Sequence, residues 1–141
     1  MATTTAASRR RDQRESYNAF LAVCPSRQLL DRVSDKWVVL ILCALAGEGP
    51  GSDGDPERMR YSELSRIIAG VSQKMLTQTL RSLERDGLVE RTVTPTVPVT
   101  VHYELTALGL SLHQCTTQLR SWAQAHMDAV NASRDRYDSP S

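Results

Sequence analysis

The sequence has no long hydrophobic run and no apolar leader at its start. Among its 141 residues the longest uninterrupted apolar segment has ten residues, 37–46. It is too short to span a bilayer and suits a buried helix. The first residues, Met-Ala-Thr-Thr-Thr-Ala-Ala, lack the apolar core of a secretory signal. We therefore expect a cytoplasmic protein that does not associate with a membrane.

Cysteine and histidine are scarce and scattered. The three cysteines, Cys24, Cys43 and Cys115, are odd in number, far apart and form no CxxC pair. This spacing excludes a disulfide framework and suggests neither a metal site nor another cofactor. The three histidines are also dispersed, and no nucleophile–base pair or metal triad is recognisable. We therefore do not expect an enzyme.

Charge is nearly balanced over the chain, with a formal net charge of +1, but it is unevenly distributed. Residues 58–91 contain seven basic and four acidic side chains, whereas residues 47–57 contain four acidic and no basic ones. Binding of nucleic acid through bulk positive charge is therefore excluded. The local basic surplus falls where the DNA contacts are predicted below.

The length suffices for one domain with a substantial core but not comfortably for two. Residues 1–15 are small, polar and rich in arginine, which predicts a disordered arm. Residues 47–57 contain four glycines, two prolines and four acids, which predict a flexible acidic loop. We place the ordered domain at residues 16–130 and a flexible tail at 131–141.

The central part of the chain has the pattern of a helix-turn-helix. A short helix is expected to start at Cys24-Pro25, since proline suits the first helical turn. Further along, two amphipathic helices are separated by the tight turn Ala69-Gly70-Val71. Ser72 can cap the second of them, and Gly87 can end it in a left-handed conformation.

A β-hairpin and a long helix are predicted after the helix-turn-helix. Residues 88–93 and 99–105 each alternate apolar and polar residues, and a proline-containing tip joins them. Thr106 then caps a final helix whose apolar residues recur at alternating gaps of four and three, the spacing of a coiled-coil seam. These residues are predicted to form a dimer interface: Leu108, Leu112, Cys115, Leu119 and Trp122. The fold class is therefore mainly α with a small β component, a winged helix-turn-helix with a long C-terminal dimerisation helix.

The second helix of the helix-turn-helix has a polar face suited to DNA. Its leucines share one side, and the other side presents amide, hydroxyl and basic groups that can bond base edges. The N-terminal end of such a helix enters the major groove. We predict base contacts from Gln73, Lys74, Thr77 and Gln78, and a phosphate contact from Arg81.

Several motifs together resemble the HxlR family of bacterial regulators, which have a MarR-like winged helix-turn-helix. The resemblance extends from about Cys24 to His126 and is carried by Cys24-Pro25, Asp35-Lys36-Trp37 and Tyr61-Ser-Glu-Leu64. It is most specific in Gly70-Val-Ser-Gln-Lys-Met-Leu-Thr-Gln-Thr-Leu-Arg-Ser-Leu-Glu-Arg-Asp-Gly-Leu-Val-Glu-Arg91 and in the wing segment Pro95-Thr96-Val97-Pro98.

This resemblance implies a homodimeric transcriptional regulator, a repressor, on a palindromic operator in double-stranded DNA. The family's DNA contacts fall on Gln73, Lys74, Thr77, Gln78 and Arg81, and the wing residues Thr96, Val97 and Pro98 would approach the flanking DNA. Several family members respond to electrophiles or oxidants through the cysteine of the Cys-Pro motif, here Cys24. Quinone addition or a disulfide across the dimer would change the spacing of the two recognition helices.

Two alternatives remain open from the sequence. A small aromatic ligand could bind a pocket at the dimer interface lined by Trp37, Tyr103 and Trp122. The winged helix could instead bind a partner protein, but that function would call for an acidic or apolar recognition face. Cys43 and Cys115 are expected to be inert packing residues.

Overall fold

A computed structural model describes residues 5–49 and 53–140 of the chain. Over these ranges the elements are, in chain order, α1 (Ala6–Val23), α2 (Pro25–Val33), α3 (Lys36–Leu45), β1 (Met59–Arg60), α4 (Tyr61–Ile67), α5 (Gln73–Arg85), β2 (Val89–Thr94), β3 (Thr100–Leu105) and α6 (Ala107–Asp138). Among the described helices none is long and apolar enough to cross a membrane. The mainly α winged helix-turn-helix predicted from the sequence is confirmed.

The chain forms two compact units that divide between Val38 and Val39. The first unit contains α1, α2 and the start of α3. Pro25 occupies the first turn of α2, as predicted, and Cys24 is the residue that precedes this helix. The Asp35 carboxylate accepts a hydrogen bond of 2.9 Å from the Trp37 N–H and so caps α3.

The prediction of a disordered arm at residues 1–15 is wrong from Ala6 onwards, because α1 begins there. The arm's first four residues lie outside the described ranges. Residues 6–23 contain neither proline nor glycine and are rich in alanine and arginine. These residue types have high helix propensity, which outweighs the polar composition on which the prediction rested.

The second unit contains the core of the winged helix-turn-helix. Seven large side chains are completely or almost completely buried, and they come from three helices: Ile41, Leu42 and Leu45 of α3, Leu64 of α4, and Leu76, Leu80 and Leu83 of α5. The strands form an antiparallel sheet in the order β1-β3-β2. Thus α3, whose uninterrupted apolar run predicts a buried helix, supplies much of this core.

The start of α6 packs closely against the turn between α5 and β2. Thr106 caps α6 by accepting a 3.1 Å hydrogen bond from the Gly109 N–H, and its hydroxyl donates to the Gly87 carbonyl. Gly87 has a φ of +75°, as its predicted place at the end of α5 requires. Gly109 is buried so close to the Leu88 carbonyl oxygen that a Cβ at this position would overlap it. These contacts determine how α6 leaves the domain.

The predicted flexible tail at 131–141 is also wrong over most of its length, because α6 continues to Asp138. Extending an existing helix fixes one residue for each hydrogen bond gained, so even a polar sequence can continue it. The helix ends before Pro140, whose ring is incompatible with a helix interior. Ser141 lies outside the described residues.

The acidic loop at 47–57 is described except for residues 50–52. The Glu57 N–H donates to the Leu45 carbonyl at 2.9 Å, and Gly54 donates to Gly47 at 3.0 Å. Glu48 contacts α6, where its carboxylate lies 2.9 Å from His113 Nε2 and also pairs with Arg120. The hydrogen bond from His113 holds the pKa of Glu48 below its ordinary value. Glu48 is therefore anchored to α6 rather than freely solvated.

Candidate nucleic-acid interface

The N-terminal end of α5 is fixed by its cap and by the preceding turn. Ser72 Oγ accepts a 3.1 Å hydrogen bond from the Met75 N–H, as predicted. Gly70 has a φ of +84°, which lets the chain reverse between α4 and α5. The cap and the turn therefore fix the backbone of the first turn of α5, which begins at Gln73.

The α5 helix has one buried face and one exposed face. Its buried residues are Leu76, Thr79, Leu80 and Leu83. Four of the five residues predicted to contact DNA from this helix are exposed: Gln73, Lys74, Gln78 and Arg81. Burial of the opposite face orients these four side chains away from the core, with amide and cationic groups available to a ligand.

The fifth predicted residue, Thr77, is half-buried and has an intramolecular partner. Its hydroxyl donates to Tyr61 Oη at 3.4 Å, and the Tyr61 hydroxyl donates to the Gln73 carbonyl at 3.0 Å. Tyr61 thus joins the first turn of α4 to the first turn of α5. Tyr61 belongs to a motif quoted above, but only the helix packing shows that it positions the exposed end of α5.

A second residue missed by the sequence predictions is Arg91 of β2. It lines an open groove of about 410 Å³ together with Arg81 and Glu84 of α5 and Tyr103 of β3. Arg91 is exposed and stands opposite Tyr103 in the β2–β3 register. Two guanidinium groups, one from the helix and one from the hairpin, therefore share one groove beside the polar face of α5.

The wing is the β2–β3 hairpin, and its tip is exposed. The predicted strands are confirmed, with Val89 opposite Leu105 and Thr94 opposite Thr100. Thr96 Oγ1 donates to the Pro98 carbonyl at 2.8 Å, which closes the tip. The wing residues predicted to approach DNA are all exposed: Thr96, Val97 and Pro98.

The long helix α6 has two unlike faces. Gly109, His113 and Thr116 are buried against the rest of the second unit. The residues predicted for dimerisation lie on a different face, where Leu108 is 58%, Leu119 65% and Trp122 53% exposed. Cys115 is exposed and Leu112 half-buried on this same face. We call the five residues Leu108, Leu112, Cys115, Leu119 and Trp122 the α6 stripe.

The Cys24 thiol lies at the N-terminus of α2 and is partly exposed. Hydrogen bonds from the backbone N–H groups of Arg27 and then Ser26 lower the pKa of this thiol. This is the effect expected where the unpaired N–H groups of a helix end meet a thiolate. Burial, in contrast, raises the pKa of Cys43.

The three aromatic residues considered for a ligand pocket have different surroundings. Tyr103 lines the groove beside α5, and Trp122 is not among the described residues that line it. Trp122 instead stacks on His126, with ring centres 4.7 Å apart. Trp37 belongs to the first unit, where the Lys36 ammonium lies 4.6 Å from the centre of its ring. The ligand pocket at the dimer interface stays a prediction.

Comparison with known proteins supports the resemblance to the HxlR family. A model of the HxlR-like helix-turn-helix family matches residues 32–131, which exclude Cys24. The HTH-type transcriptional regulator YtfH of Escherichia coli (strain K12) is 42% identical over 118 residues, covering 84% of this chain and 86% of that relative.

Two solved structures are also similar. The transcriptional regulator ytfH from Salmonella typhimurium has a TM-score of 0.67 and 39% identity, and the match covers 82% of this chain and 96% of that one. The redox regulator HypR in its oxidized form has a TM-score of 0.62 and 32% identity, with coverage of 73% and 97%.

Proposed function

Because the chain belongs to the HxlR-like helix-turn-helix family of DNA-binding transcriptional regulators, we propose that it represses transcription by binding a specific operator as a homodimer. The observation that carries this proposal is the exposed polar face of α5 next to the groove that Arg81 and Arg91 share. A protein-binding winged helix would need an acidic or apolar face there, whereas this face carries amide and basic groups.

In the proposed complex the first turns of α5 lie in the major groove. Gln73 and Gln78 can each bond the edge of an adenine in two places, and Lys74 can donate to guanine. Thr77 contributes less to base recognition than its place on α5 suggests, because its hydroxyl donates its proton to Tyr61. Arg81 and Arg91, which line one groove, would bind the DNA backbone. The wing tip at Thr96, Val97 and Pro98 approaches the neighbouring DNA.

The α6 stripe supports the proposal of a homodimer. Leu108, Leu119 and Trp122 are exposed in the single chain, whereas Gly109, His113 and Thr116 on a different face of α6 are buried. A large apolar surface of this kind is typical of a protein-binding site, and coiled-coil spacing favours a second copy of the same helix. A two-fold dimer would present two α5 helices about 34–36 Å apart, one turn of DNA, and so require a palindromic site.

We further propose that Cys24 makes the regulator responsive to electrophiles. Its low thiol pKa raises the fraction of thiolate, the reactive form. With a quinone, the sulfur would form a bond to a ring carbon, the thiol proton would pass to one quinone oxygen, and the hydrogen of the attacked ring carbon would pass as a proton to the other oxygen, leaving a hydroquinone thioether. The similarity to a protein named as a redox regulator supports this part of the proposal.

DNA binding is tested by fluorescence anisotropy with the promoter region next to the protein's own gene, measured at several salt concentrations. Gln78→Ala should cost about 1–3 kcal/mol and relax the preference for one base pair. Arg81→Ala should weaken binding to all sequences and reduce the salt dependence by about one charge. Arg134→Ala removes an equal charge from the distant end of α6 and serves as the control. The absence of any sequence-specific binding at moderate salt would refute the proposal.

The response to electrophiles is tested on the same promoter fragment with and without a quinone. The wild-type protein and Cys115→Ser should lose DNA binding after quinone treatment, whereas Cys24→Ser should retain it. Release of DNA from Cys24→Ser to the wild-type extent would exclude Cys24 as the sensor without affecting the evidence for DNA binding.

A further inference from the structure

We propose that Cys43, Glu48 and His113 form a binding site for a divalent transition-metal ion such as Zn²⁺. Cys43 lies near the end of α3, Glu48 follows that helix, and His113 lies on the buried face of α6. One ligand atom from each residue lies within 4.8 Å of the other two. Cys43 and Glu48 are five positions apart, whereas His113 lies 65 residues beyond Glu48, and all three belong to the same compact unit.

The chemistry of these three groups suits zinc and similar ions. Thiolate, imidazole and carboxylate are the side chains that bind Zn²⁺, at about 2.0–2.3 Å from the ion. Ligand atoms of a regular tetrahedron at those lengths are about 3.3–3.8 Å apart, so only a small adjustment of side chains is needed here. Three protein ligands leave the fourth position open to water or to another ligand.

The surroundings of His113 argue against a purely structural hydrogen-bonding role. Its side chain is only 6% exposed, and its Nε2 atom lies 2.9 Å from a Glu48 carboxylate oxygen. The Nδ1 atom is buried and has no hydrogen-bond partner among the described residues. Buried polar atoms are normally paired, so hydrogen bonds among the described residues do not fully satisfy this ring.

A positive charge already occupies part of this site. The Arg120 guanidinium pairs with Glu48 and lies 3.5 Å from Cys43 Sγ. The side chain of Arg120 is 44% exposed, so it can move into solvent when an ion takes its place. Binding would form a metal–sulfur bond and release the Cys43 thiol proton to water, while Arg120 leaves the Glu48 carboxylate.

The site is also accessible from solvent. Cys43, Glu48 and Arg120 line one part of an open groove of about 520 Å³, whose other walls include Leu40 and Ile67. An ion can therefore enter without opening the hydrophobic core. Once bound, it would link the end of α3 to α6.

The test is a titration of the reduced full-length protein with Co²⁺, followed by ultraviolet and visible absorption. We expect one Co²⁺ per chain, a thiolate-to-metal charge-transfer band, and loss of the spectrum when Zn²⁺ displaces Co²⁺. Cys43→Ser should lose the charge-transfer band, whereas Cys24→Ser and Cys115→Ser should retain it. His113→Gln should reduce the affinity, and circular dichroism checks that each variant is folded.

Arg120→Gln gives a test that does not depend on removing a ligand. Deleting a competing positive charge from the site should increase the affinity for Co²⁺ by about tenfold, since like charges at such short range repel strongly. A weaker affinity in Arg120→Gln, a charge-transfer band that survives in Cys43→Ser, or no uptake of Co²⁺ or Zn²⁺ in equilibrium dialysis would each overturn the proposal. The titration uses no DNA, so its outcome is independent of the proposed regulator function.

Discussion

Replacing Leu119 with glutamate is expected to convert the proposed dimer into monomers while each chain stays folded. Leu119 belongs to the α6 stripe and is 65% exposed in the single chain. Because the side chain has little contact within its own chain, the substitution removes little from the folding free energy. The substitution should instead weaken the association of two copies of the chain.

The magnitude follows from the exposed fraction of this side chain. Complete burial of a leucine side chain is worth about 1.5–3 kcal/mol, so covering the exposed two thirds is worth about 1–2 kcal/mol. A two-fold dimer contains the contact twice, which gives about 2–4 kcal/mol, or roughly a 30- to 700-fold change in the dissociation constant. Taking two carboxylates out of water would add several kcal/mol more.

Sedimentation velocity over a range of protein concentrations measures this change directly. Gln118→Glu places the same charge at the exposed neighbouring position, outside the α6 stripe, and should dimerise like the wild-type protein. Circular dichroism should give the same helix content for all three proteins. If Leu119→Glu sediments as the wild type does at every concentration, the dimer interface is not on this face of α6.

Three further predictions concern single residues. Gly109→Ala should destabilise the fold by about 1–3 kcal/mol in thermal denaturation, because its Cβ would overlap the Leu88 carbonyl oxygen; a gain in stability, as alanine's helix propensity alone would give, would contradict the close packing. Ser72→Ala should cost about 1 kcal/mol in urea unfolding through loss of the α5 cap, and an unchanged midpoint would show that the cap contributes nothing. The pH profile of Cys24 alkylation, followed by mass spectrometry, should have its midpoint below that of an unstructured peptide thiol, because helix N–H groups stabilise the thiolate and lower its pKa; an equal or higher midpoint would contradict this.

The predictions that the structure confirms rest on patterns within single elements. Ser72, Gly87 and Thr106 each occupy the end of a helix where their side-chain or backbone properties are required. The alternation of residues 88–93 and 99–105 likewise predicts the paired strands of the wing. Local hydrogen bonding and side-chain periodicity determine these features, so they can be read from neighbouring residues.

The two wrong predictions rest on the same criterion, polarity, but the two helices form for different reasons. Residues 6–15 and most of the tail were expected to be flexible because they are polar, yet both are helical. Polarity shows that a segment has little to bury, but it does not measure backbone propensity. Residues 6–15 contain several arginines and alanines, which favour helices, whereas the tail continues the existing helix α6.

The sequence by itself determined the helix-turn-helix and the wing, and it contains neither a CxxC pair nor an apolar run long enough to span a bilayer. Only the tertiary structure decided which distant side chains meet. Tyr61 bonds the α5 backbone, Arg91 joins Arg81 in one groove, and Glu48 contacts His113, 65 residues further along the chain. The scattered cysteines and histidines gave no sign of a metal site, because a sequence motif reveals metal ligands only when they lie close together in the chain. The proposed site arises where the packing of α6 against the end of α3 brings three separate residues together.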